Sequence, residues 1–468
     1  MLGENMKSSY ALLPSTKYFS TVSSPVIEFE DDVADIYDFP ALYGNFIATK
    51  TQMDSFLLGD GGVRSEPVDS DTDTPNVLDT DMLIGANELQ DILDNWIAPE
   101  NIAVSQVVGW GIDTVRGISY SGCDIIFCPD RLSNLDRELL FVEDGDGTVV
   151  TPSASAMSGV DTYYVDIYEH NTEILTGLRR NREHADILEI QQLQELLSHI
   201  IQDDDVVVLP EHISLEKQIS EDNDKRIRVR IHSPVELHIY DAEGNHTGIV
   251  PNTDPESDLR RFEANIPNSY YTEFGEIKYA GANTFGANII SLIGEDTGTF
   301  TLEVDTLIGG NISTTTTFTD IPVVKDARDR VVVGEDSSVS SLTLDIDDDG
   351  VVDAEVTSGE GMDMSDMLSI LRVTIGKLDI SSKKQKQLEK ILVKIEKQFE
   401  KEDKCESKKK KEKCEQKRKD KIEHIIDRLI KKIEKMTKGK KAEFSEQEAE
   451  EVINLIQSIT NGSRLAKS

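Results

Sequence analysis

The sequence lacks any run of about 20 apolar residues, the length that a helix needs to cross a bilayer. Its first residues, MLGENMKSSYALLPS, contain no basic stretch followed by an apolar one, so they do not resemble a secretory signal. The hydrophobic fraction of 38% is nevertheless enough for real cores and excludes wholesale disorder. A length of 468 residues suggests two or three domains.

Basic residues are scarce through most of the chain. Residues 1–360 contain 21 Lys and Arg against 68 Asp and Glu, a net charge of −47, which argues against nucleic acid as a partner. Residues 361–468 contain 28 Lys and Arg against 20 Asp and Glu, a net charge of +8. A lysine-rich tail of this kind is typical of a solvated helical surface, and a polyanion-binding patch is the alternative.

Cysteine is limited to four residues in two close pairs, Cys123 with Cys128 and Cys405 with Cys414. No CxxC pattern and no histidine at zinc spacing accompanies them. Two local disulfides fit the pattern, and so do four plain thiols. We favour the disulfides, because the body rich in Asp and Thr is typical of proteins that work outside a cell.

Residues 1–203 alternate short β patterns with helical ones, which predicts an α/β arrangement. In NELQDILDNW, four apolar residues lie on one helical face, namely Leu89, Ile92, Leu93 and Trp96. Within a predicted insertion near residues 25–85, the stretch 59–81 is dominated by Gly, Pro, Asp and Thr. This stretch indicates either a mobile cap over a pocket or a featureless loop.

The periodicity changes twice after residue 203. Over 204–330, short alternating strands such as Val235-Leu237-Ile239 and Phe300-Leu302-Val304 predict a β-sandwich. An acidic segment follows at 331–360. Over 361–468, apolar stripes such as Leu388-Ile391-Leu392-Ile395 predict a helical bundle whose stripes pack against one another.

Two segments carry residues suited to catalysis. Asp144-Gly-Asp146-Gly-Thr follows an apolar strand, and a carboxylate on such a tight turn can be held rigidly against a histidine ring. His184 lies on a loop directly before an amphipathic helix. Each segment also has a simpler interpretation, a plain turn for the first and a surface or capping residue for the second. Their order, an acid and then a histidine, is that of a Ser-Asp-His triad.

The same segments resemble lipases and acyltransferases of the lecithin:cholesterol acyltransferase type. MKSSYALLPSTKYF at 6–19 is similar to their "PSAY-x-LLP" segment. The run 144–154 is similar to their "DGDGTV…SA" acid loop, 183–188 to their "H-x-x-IL" loop, and GWGIDTVRGISY to the preceding strand. The resemblance covers about 200 residues. It implies an α/β-hydrolase, with Asp146 as triad acid and His184 as general base, and an acyl-ester substrate, often a lipid.

The nucleophile of that family is missing from the printed sequence. It lies on a G-x-S-x-G elbow ahead of the "PSAY" segment, and only five residues precede that segment here. The nearest match, Gly117-Ile-Ser119-Tyr-Ser121-Gly122, has its second glycine one position late and leads into a strand rather than a helix. We therefore expect residues 1–203 to be the C-terminal part of an α/β-hydrolase, inactive alone.

A third motif predicts a calcium loop in LDIDDDGVVDAEV. Asp345, Asp347, Asp349 and Asp353 occupy loop positions 1, 3, 5 and 9, with a glycine at position 6 and the carbonyl of Val351 at position 7. Oxygen ligands at these spacings suit calcium. Position 12 is a valine rather than an acid, and the alternative is a plain acidic turn.

Taken together, the sequence favours a serine-type ester hydrolase or O-acyltransferase of exported type, without a catalytic cofactor and with a structural calcium ion. The predicted architecture is a partial α/β-hydrolase, a β-sandwich and a helical bundle. Its expected location is extracellular or at the cell surface, where the C-terminal modules could bind a surface partner. The alternative is a non-catalytic surface or adhesion protein that carries a hydrolase remnant.

Overall fold

In the computed structural model, the chain divides into two units, Met1–Glu221 and Asp222–Ser468. The first unit extends beyond residue 203 because strand β7 (Ile213–Ser214) pairs with strand β6 (Asp161–Asp166). The structure describes residues 6–35, 38–61, 77–122, 135–172, 181–202, 208–218, 224–232, 234–251, 260–284, 286–359, 362, 364–377, 380–399, 411–437, 449, 452–453 and 455–456.

Short elements make up the first unit. Its other strands are β1 (Ile27–Phe29), β2 (Phe46–Ile47), β3 (Ser105–Trp110), β4 (Thr114–Gly122) and β5 (Leu135–Val142). Its helices are α1 (Lys7–Ala11), α2 (Thr16–Thr21), α3 (Phe39–Tyr43), α4 (Lys50–Leu58), α5 (Thr80–Asp94), α6 (Thr151–Ala154), α7 (Ile167–Thr172) and α8 (Gln191–Gln202). Two 3-10 helices, Asp31–Asp35 and His184–Glu189, are also present among its described residues.

These strands form two separate sheets. One has the order β2-β1-β4-β5 and the other has the order β3-β6-β7. Among the described strands of the two sheets, β1 with β4 and β3 with β6 pair in parallel, and the other pairs are antiparallel. Aromatic residues from the expected insertion, including Phe29, Phe39 and Phe56, form the core beside the first sheet.

The prediction of an α/β-hydrolase is therefore wrong. Its defining feature, one parallel sheet with helices on both faces, does not occur among the residues that the structure describes, which form several open and largely antiparallel sheets. Alternating β and helical patterns indicate which segments are extended, but they do not fix which strands become neighbours. Here the neighbours are mostly antiparallel.

In the described part of the second unit, twelve strands form two antiparallel sheets. The strands are β8 (Lys225–His232), β9 (Val235–Tyr240), β10 (His246–Val250), β11 (Arg261–Ala264), β12 (Tyr270–Phe274), β13 (Ile277–Asn283), β14 (Asn288–Gly294), β15 (Gly298–Ile308), β16 (Asn311–Val323), β17 (Arg328–Val333), β18 (Leu342–Asp345) and β19 (Ala354–Val356). One sheet has the order β11-β10-β9-β14-β17-β18-β19, and the other β12-β13-β8-β15-β16. The alternating strands predicted at 235–239 and 300–304 are present, with their apolar residues buried.

In the described part of the chain, three long helices follow the strands: α9 (Met364–Lys377), α10 (Ser382–Phe399) and α11 (Lys411–Glu434). They do not form a separate bundle. Leu371 of α9, Leu392 of α10 and Leu429 of α11 belong to the same hydrophobic cluster as Leu237 and Phe300 of the two sheets. The helical stripes predicted from periodicity are buried, but the core that they enter is shared with the strands.

Candidate functional site

Asp146 lies on a tight loop between β5 and α6. Its Oδ1 accepts hydrogen bonds from the backbone N–H groups of Thr148 (3.1 Å) and Val149 (2.7 Å). Gly147 has a φ of 90°, a conformation that favours glycine and allows the chain to turn back over the carboxylate. The Asp146 side chain is only 6% exposed, so the loop fixes its direction.

Close packing against β4 and β3 holds this loop. The backbone N–H of Gly147 donates to Thr114 Oγ1 at 2.8 Å. A Cβ at position 145 would lie 2.3 Å from that same oxygen, and one at position 109 would lie 2.9 Å from Asp146 Cβ. Gly145 and Gly109 are therefore required for the approach of the acid loop to the two strands.

His184 is brought to the acid by two contacts. Its backbone N–H donates to the Asp146 carbonyl oxygen at 2.8 Å, and its Nδ1 lies 2.9 Å from Asp146 Oδ2. The His184 side chain is 48% exposed. The acid is thus buried while the imidazole that it orients is open to solvent.

The segment before His184 is anchored by Asn171 on α7. Asn171 Oδ1 accepts from the Arg182 backbone N–H at 2.8 Å, and its Nδ2 donates to the Arg182 carbonyl at 3.1 Å. The Arg182 guanidinium pairs with Asp186 (2.8 Å) and Glu189 (2.6 Å), and its hydrogen bond to Asp186 raises the pKa of Arg182 further. Both ends of the histidine turn are held in place.

Asp144, the other acid of the motif, has a different environment. Its Oδ1 forms an ion pair with Lys217 Nζ at 2.6 Å, and its carbonyl accepts from the Thr151 backbone N–H at 2.7 Å. The structure therefore places Asp146, and not Asp144, against the His184 ring. From the sequence, Asp146 could be preferred to Asp144 only because it occupies the acid position of the motif.

The Asp146–His184 pair has the geometry of an acid–base dyad. When Nδ1–H donates to the carboxylate, the proton is confined to that nitrogen and Nε2 presents a lone pair outward. Among the described residues, no hydroxyl group forms a hydrogen bond with His184 Nε2. The pair supplies the general base and its orienting acid but not the nucleophile.

The acidic loop in the second unit also brings predicted residues together. Carboxylate oxygens of Asp345, Asp347 and Asp353 lie within 4.8 Å of one another. Burial, the first cause, and the charges of the neighbouring Asp residues raise the pKa of Asp353. A cation that favours the charged form would offset this repulsion, so these three side chains fit a hard divalent ion.

The remaining calcium positions fit less well. Asp349 Oδ1 accepts from the Val351 backbone N–H at 2.8 Å, and Asp349 is not part of the cluster. Position 12, Val356, is buried in β19 and has no oxygen on its side chain, while Glu355 is exposed on the same strand. Asp345 accepts from the backbone N–H groups of Asp349 and Gly350, which closes the loop by itself.

Sequence reasoning missed the residues that hold the dyad. Thr114 and Asn171 are remote from the motifs in sequence and have no distinctive spacing, so only the folded chain reveals them. Cys123, Cys128 and Cys405 and the segment 62–76 lie outside the described residues, as does the side chain of Cys414. The disulfide prediction therefore remains a prediction.

In the part of the chain that the structure describes, no helix is both long and apolar enough to span a membrane.

No family model, no curated protein and no solved structure matches this chain. The resemblance to acyltransferase-type lipases consequently depends on the quoted motifs.

Proposed function

We propose that residues 1–221 provide the acid–base machinery of a serine-type ester hydrolase or O-acyltransferase. In this role His184 removes the proton from an attacking hydroxyl group and then protonates the leaving group. Asp146 fixes the tautomer of the ring and stabilises the imidazolium that forms. The substrate class, an acyl ester such as a lipid, comes from the motif resemblance alone.

The observation that carries the proposal is the 2.9 Å contact between His184 Nδ1 and the buried Asp146 carboxylate. If His184 were only a surface residue, it would not require a buried carboxylate as a partner. If the Gly-Asp-Gly segment were only a turn, it would not require a histidine beside it. The proposal does not depend on an α/β-hydrolase sheet, because the same acid–base constellation occurs on unrelated folds.

The dyad can be tested in this chain directly. Proton NMR should show a strongly deshielded Nδ1 proton on His184, and diethyl pyrocarbonate should modify its exposed Nε2. Asp146→Asn should abolish the deshielded signal, whereas Asp144→Asn, the matched control in the same loop, should retain it. An unchanged signal in Asp146→Asn would show that the carboxylate does not orient the ring.

Catalysis requires a nucleophile, which gives a second test. This chain should neither react with a fluorophosphonate probe nor hydrolyse p-nitrophenyl esters. A longer chain that carries an in-frame G-x-S-x-G segment ahead of residue 1 should do both. In that chain Asp146→Asn should lower turnover by about 10⁴-fold, the scale known for a triad acid, and His184→Ala by at least as much. His199→Ala, an exposed histidine on α8, is the control.

The second candidate is the non-catalytic surface protein expected as the alternative. It is favoured by the lack of a hydroxyl partner for His184 among the described residues. If the longer chain neither labels nor hydrolyses esters although the deshielded proton is present, this alternative replaces the enzymatic proposal.

We also propose that the loop 345–353 binds a structural calcium ion. The convergence of three carboxylates within 4.8 Å supports this role, and it is independent of catalysis. Asp345, Asp347 and Asp353 would hold the ion. The Val351 carbonyl would add a ligand at position 7.

A further inference from the structure

Two largely buried histidines meet on the seven-stranded sheet, with side chains 8% exposed for His238 and 12% exposed for His246. His238 lies on β9 and His246 begins β10, on either side of the turn at 241–245. His238 Nδ1 lies 3.0 Å from His246 Nε2, and the two rings are stacked with their centroids 5.2 Å apart. Leu237 and Ile239, which alternate with His238, face the core instead.

The backbone is shaped to admit this pair. Gly248, opposite His238 in the ladder, has a φ of 145°, and a Cβ there would lie 3.1 Å from His246 Nε2 and 2.7 Å from the Leu237 carbonyl. Any other residue would crowd the histidine nitrogen that faces its partner. Tyr240 stacks on His246 with a centroid distance of 4.7 Å and fixes the plane of that ring.

Each histidine has a carboxylate at its outer nitrogen. His246 Nδ1 lies 2.8 Å from Glu263 Oε1, a hydrogen-bond distance, and His238 Nε2 lies 3.5 Å from Glu236 Oε2, a weaker electrostatic contact. The Glu263 carboxylate favours a proton on His246 Nδ1, which leaves a lone pair on His246 Nε2 toward His238 Nδ1. The 3.0 Å contact between these two inner nitrogens is a hydrogen bond that shares one proton, and this proton is the one that a divalent ion can replace.

A ring nitrogen that faces a cation while its other nitrogen donates to a carboxylate is the usual arrangement of a metal-binding histidine. Metal binds the neutral form of the ring, whose second nitrogen carries a lone pair. The other charged group near His238 is Arg328, which opposes a cation, while Glu236 and Glu263 favour one.

From this geometry we infer that His238 and His246 form a binding site for a divalent late transition-metal ion, with copper(II) preferred. Metal–nitrogen bonds of about 2.0–2.1 Å to nitrogens 3.0 Å apart subtend an angle of roughly 90–100°. That angle suits adjacent positions of a square-planar or octahedral ion better than a tetrahedral zinc site. Solvent oxygens would occupy the remaining positions.

The site is separate from the acid–base dyad, which lies in the other unit, and from the acidic loop, whose oxygen ligands suit a harder ion. Histidine nitrogen is a poor ligand for calcium, so saturating calcium should leave the histidine site free. The inference therefore stands or falls independently of both proposals above.

The experiment is copper titration of the full chain in a calcium-containing buffer, followed by calorimetry and electron paramagnetic resonance. We expect one copper(II) ion bound with a tetragonal spectrum and coupling to two imidazole nitrogens, and weaker binding of nickel(II) and zinc(II). His246→Gln should reduce copper affinity by at least about 100-fold, and Glu263→Gln by about 10–100-fold through the lost orientation of His246. His199→Ala should leave the affinity unchanged.

A measurement on the unmodified protein tests the site even if the substituted variants do not fold. Copper(II), which is paramagnetic, should broaden the imidazole NMR signals of both His238 and His246 in the unmodified protein. Equal copper affinity in the wild type and a folded His246→Gln variant would overturn the inference, and so would sharp signals of the two histidines at saturating copper. In that case the pair shares a proton only.

Discussion

The two units differ in how their apolar residues are connected. In the first unit, the described core residues fall into separate clusters, one beside the four-stranded sheet, one around α8, and one between α1 and α5. In the second unit, both sheets and all three helices share one cluster. The catalytic candidates lie in the first unit, on turns held by hydrogen bonds to neighbouring elements, whereas the metal-binding candidates lie in the second unit, on strands whose other face enters the continuous core.

This difference should determine how far the destabilisation caused by a core substitution extends through each unit. A side chain removed from a continuous core affects every element that touches the cluster, whereas one removed from a small cluster affects only its neighbours. Substitutions of buried phenylalanines in the two units test this contrast directly. Two further tests concern charged groups attached to the continuous core.

The largest effect is expected from Phe300→Ala in β15. Phe300 is fully buried, so the substitution should lower the unfolding free energy of the second unit by about 3–5 kcal/mol. Hydrogen exchange, followed by mass spectrometry, should quicken in both sheets and in α9 and α10. Phe262→Ala, at a 63% exposed position in β11, is the control and should have little effect.

The matched change in the first unit is Phe56→Ala in the cluster beside the four-stranded sheet. Exchange should quicken in β1 and β4 but not in β3 and β6, because the latter contribute to a different cluster. Equal acceleration in all four strands would show that the first unit also behaves as one core.

Calcium should stabilise the second unit if the loop 345–353 binds it. At a calcium concentration 100-fold above Kd, binding to the folded state alone contributes about 2.7 kcal/mol. The melting temperature should therefore rise with calcium and return with chelator, and Asp347→Ala should remove the response. Glu355→Gln, an exposed neighbour on β19, should retain it. Identical melting curves with calcium and chelator in the wild type would disprove the site.

The smallest of the three effects concerns Asp329, a buried carboxylic acid on β17. Burial raises the pKa of Asp329 well above its ordinary value, and the charge of Asp345 contributes in the same direction. The folded state therefore holds a proton that the unfolded chain releases above pH of about 4. The unfolding free energy should consequently fall as pH rises through this range, because deprotonation is available only to the unfolded chain.

Asp329→Asn keeps the shape without the ionisable group. The variant should lose this part of the pH dependence and be more stable than the wild type at pH 7. The wild type loses about 1.4 kcal/mol per pH unit over the range in which only the unfolded chain is deprotonated. Denaturant unfolding between pH 4 and 8 measures both, with the exposed Glu335→Gln as control. A variant less stable than the wild type at pH 7 would mean that the carboxylate is charged and paired in the folded state.

Local patterns in the sequence determined the secondary structure of many segments. The alternation at Val235, Leu237 and Ile239 predicts a strand with one buried face, and the spacing of Leu388 and Leu392 predicts a helical stripe, and both are found. These patterns succeed because the period of buried side chains follows from the geometry of a single element. The spacing of the aspartates at 345–353 was similarly local, and their convergence follows from one tight turn.

Contacts between distant segments were decided by the tertiary structure. Of the predicted stripe, Leu89, Ile92 and Leu93 lie in α5 and Trp96 lies just beyond its end. These four side chains are exposed, and α5 buries Leu83, Ala86 and Gln90 instead. Likewise, short strands were expected in residues 1–203, but not their division into two mostly antiparallel sheets. Periodicity identifies an apolar face, but whether a second element covers that face depends on the path of the whole chain.

The same division applies to the candidate sites. The order of the motifs selected Asp146 and His184 from 88 acidic residues and 8 histidines, because a strand-turn acid and a loop histidine are local features. The 2.9 Å contact between them depends on Thr114, Asn171 and the glycines that admit close approach, which only the folded chain brings together. The His238–His246 pair was not singled out at all. Its nitrogens meet because a hairpin register and the missing side chain of Gly248 leave room for them, and register is a property of paired strands rather than of either strand alone.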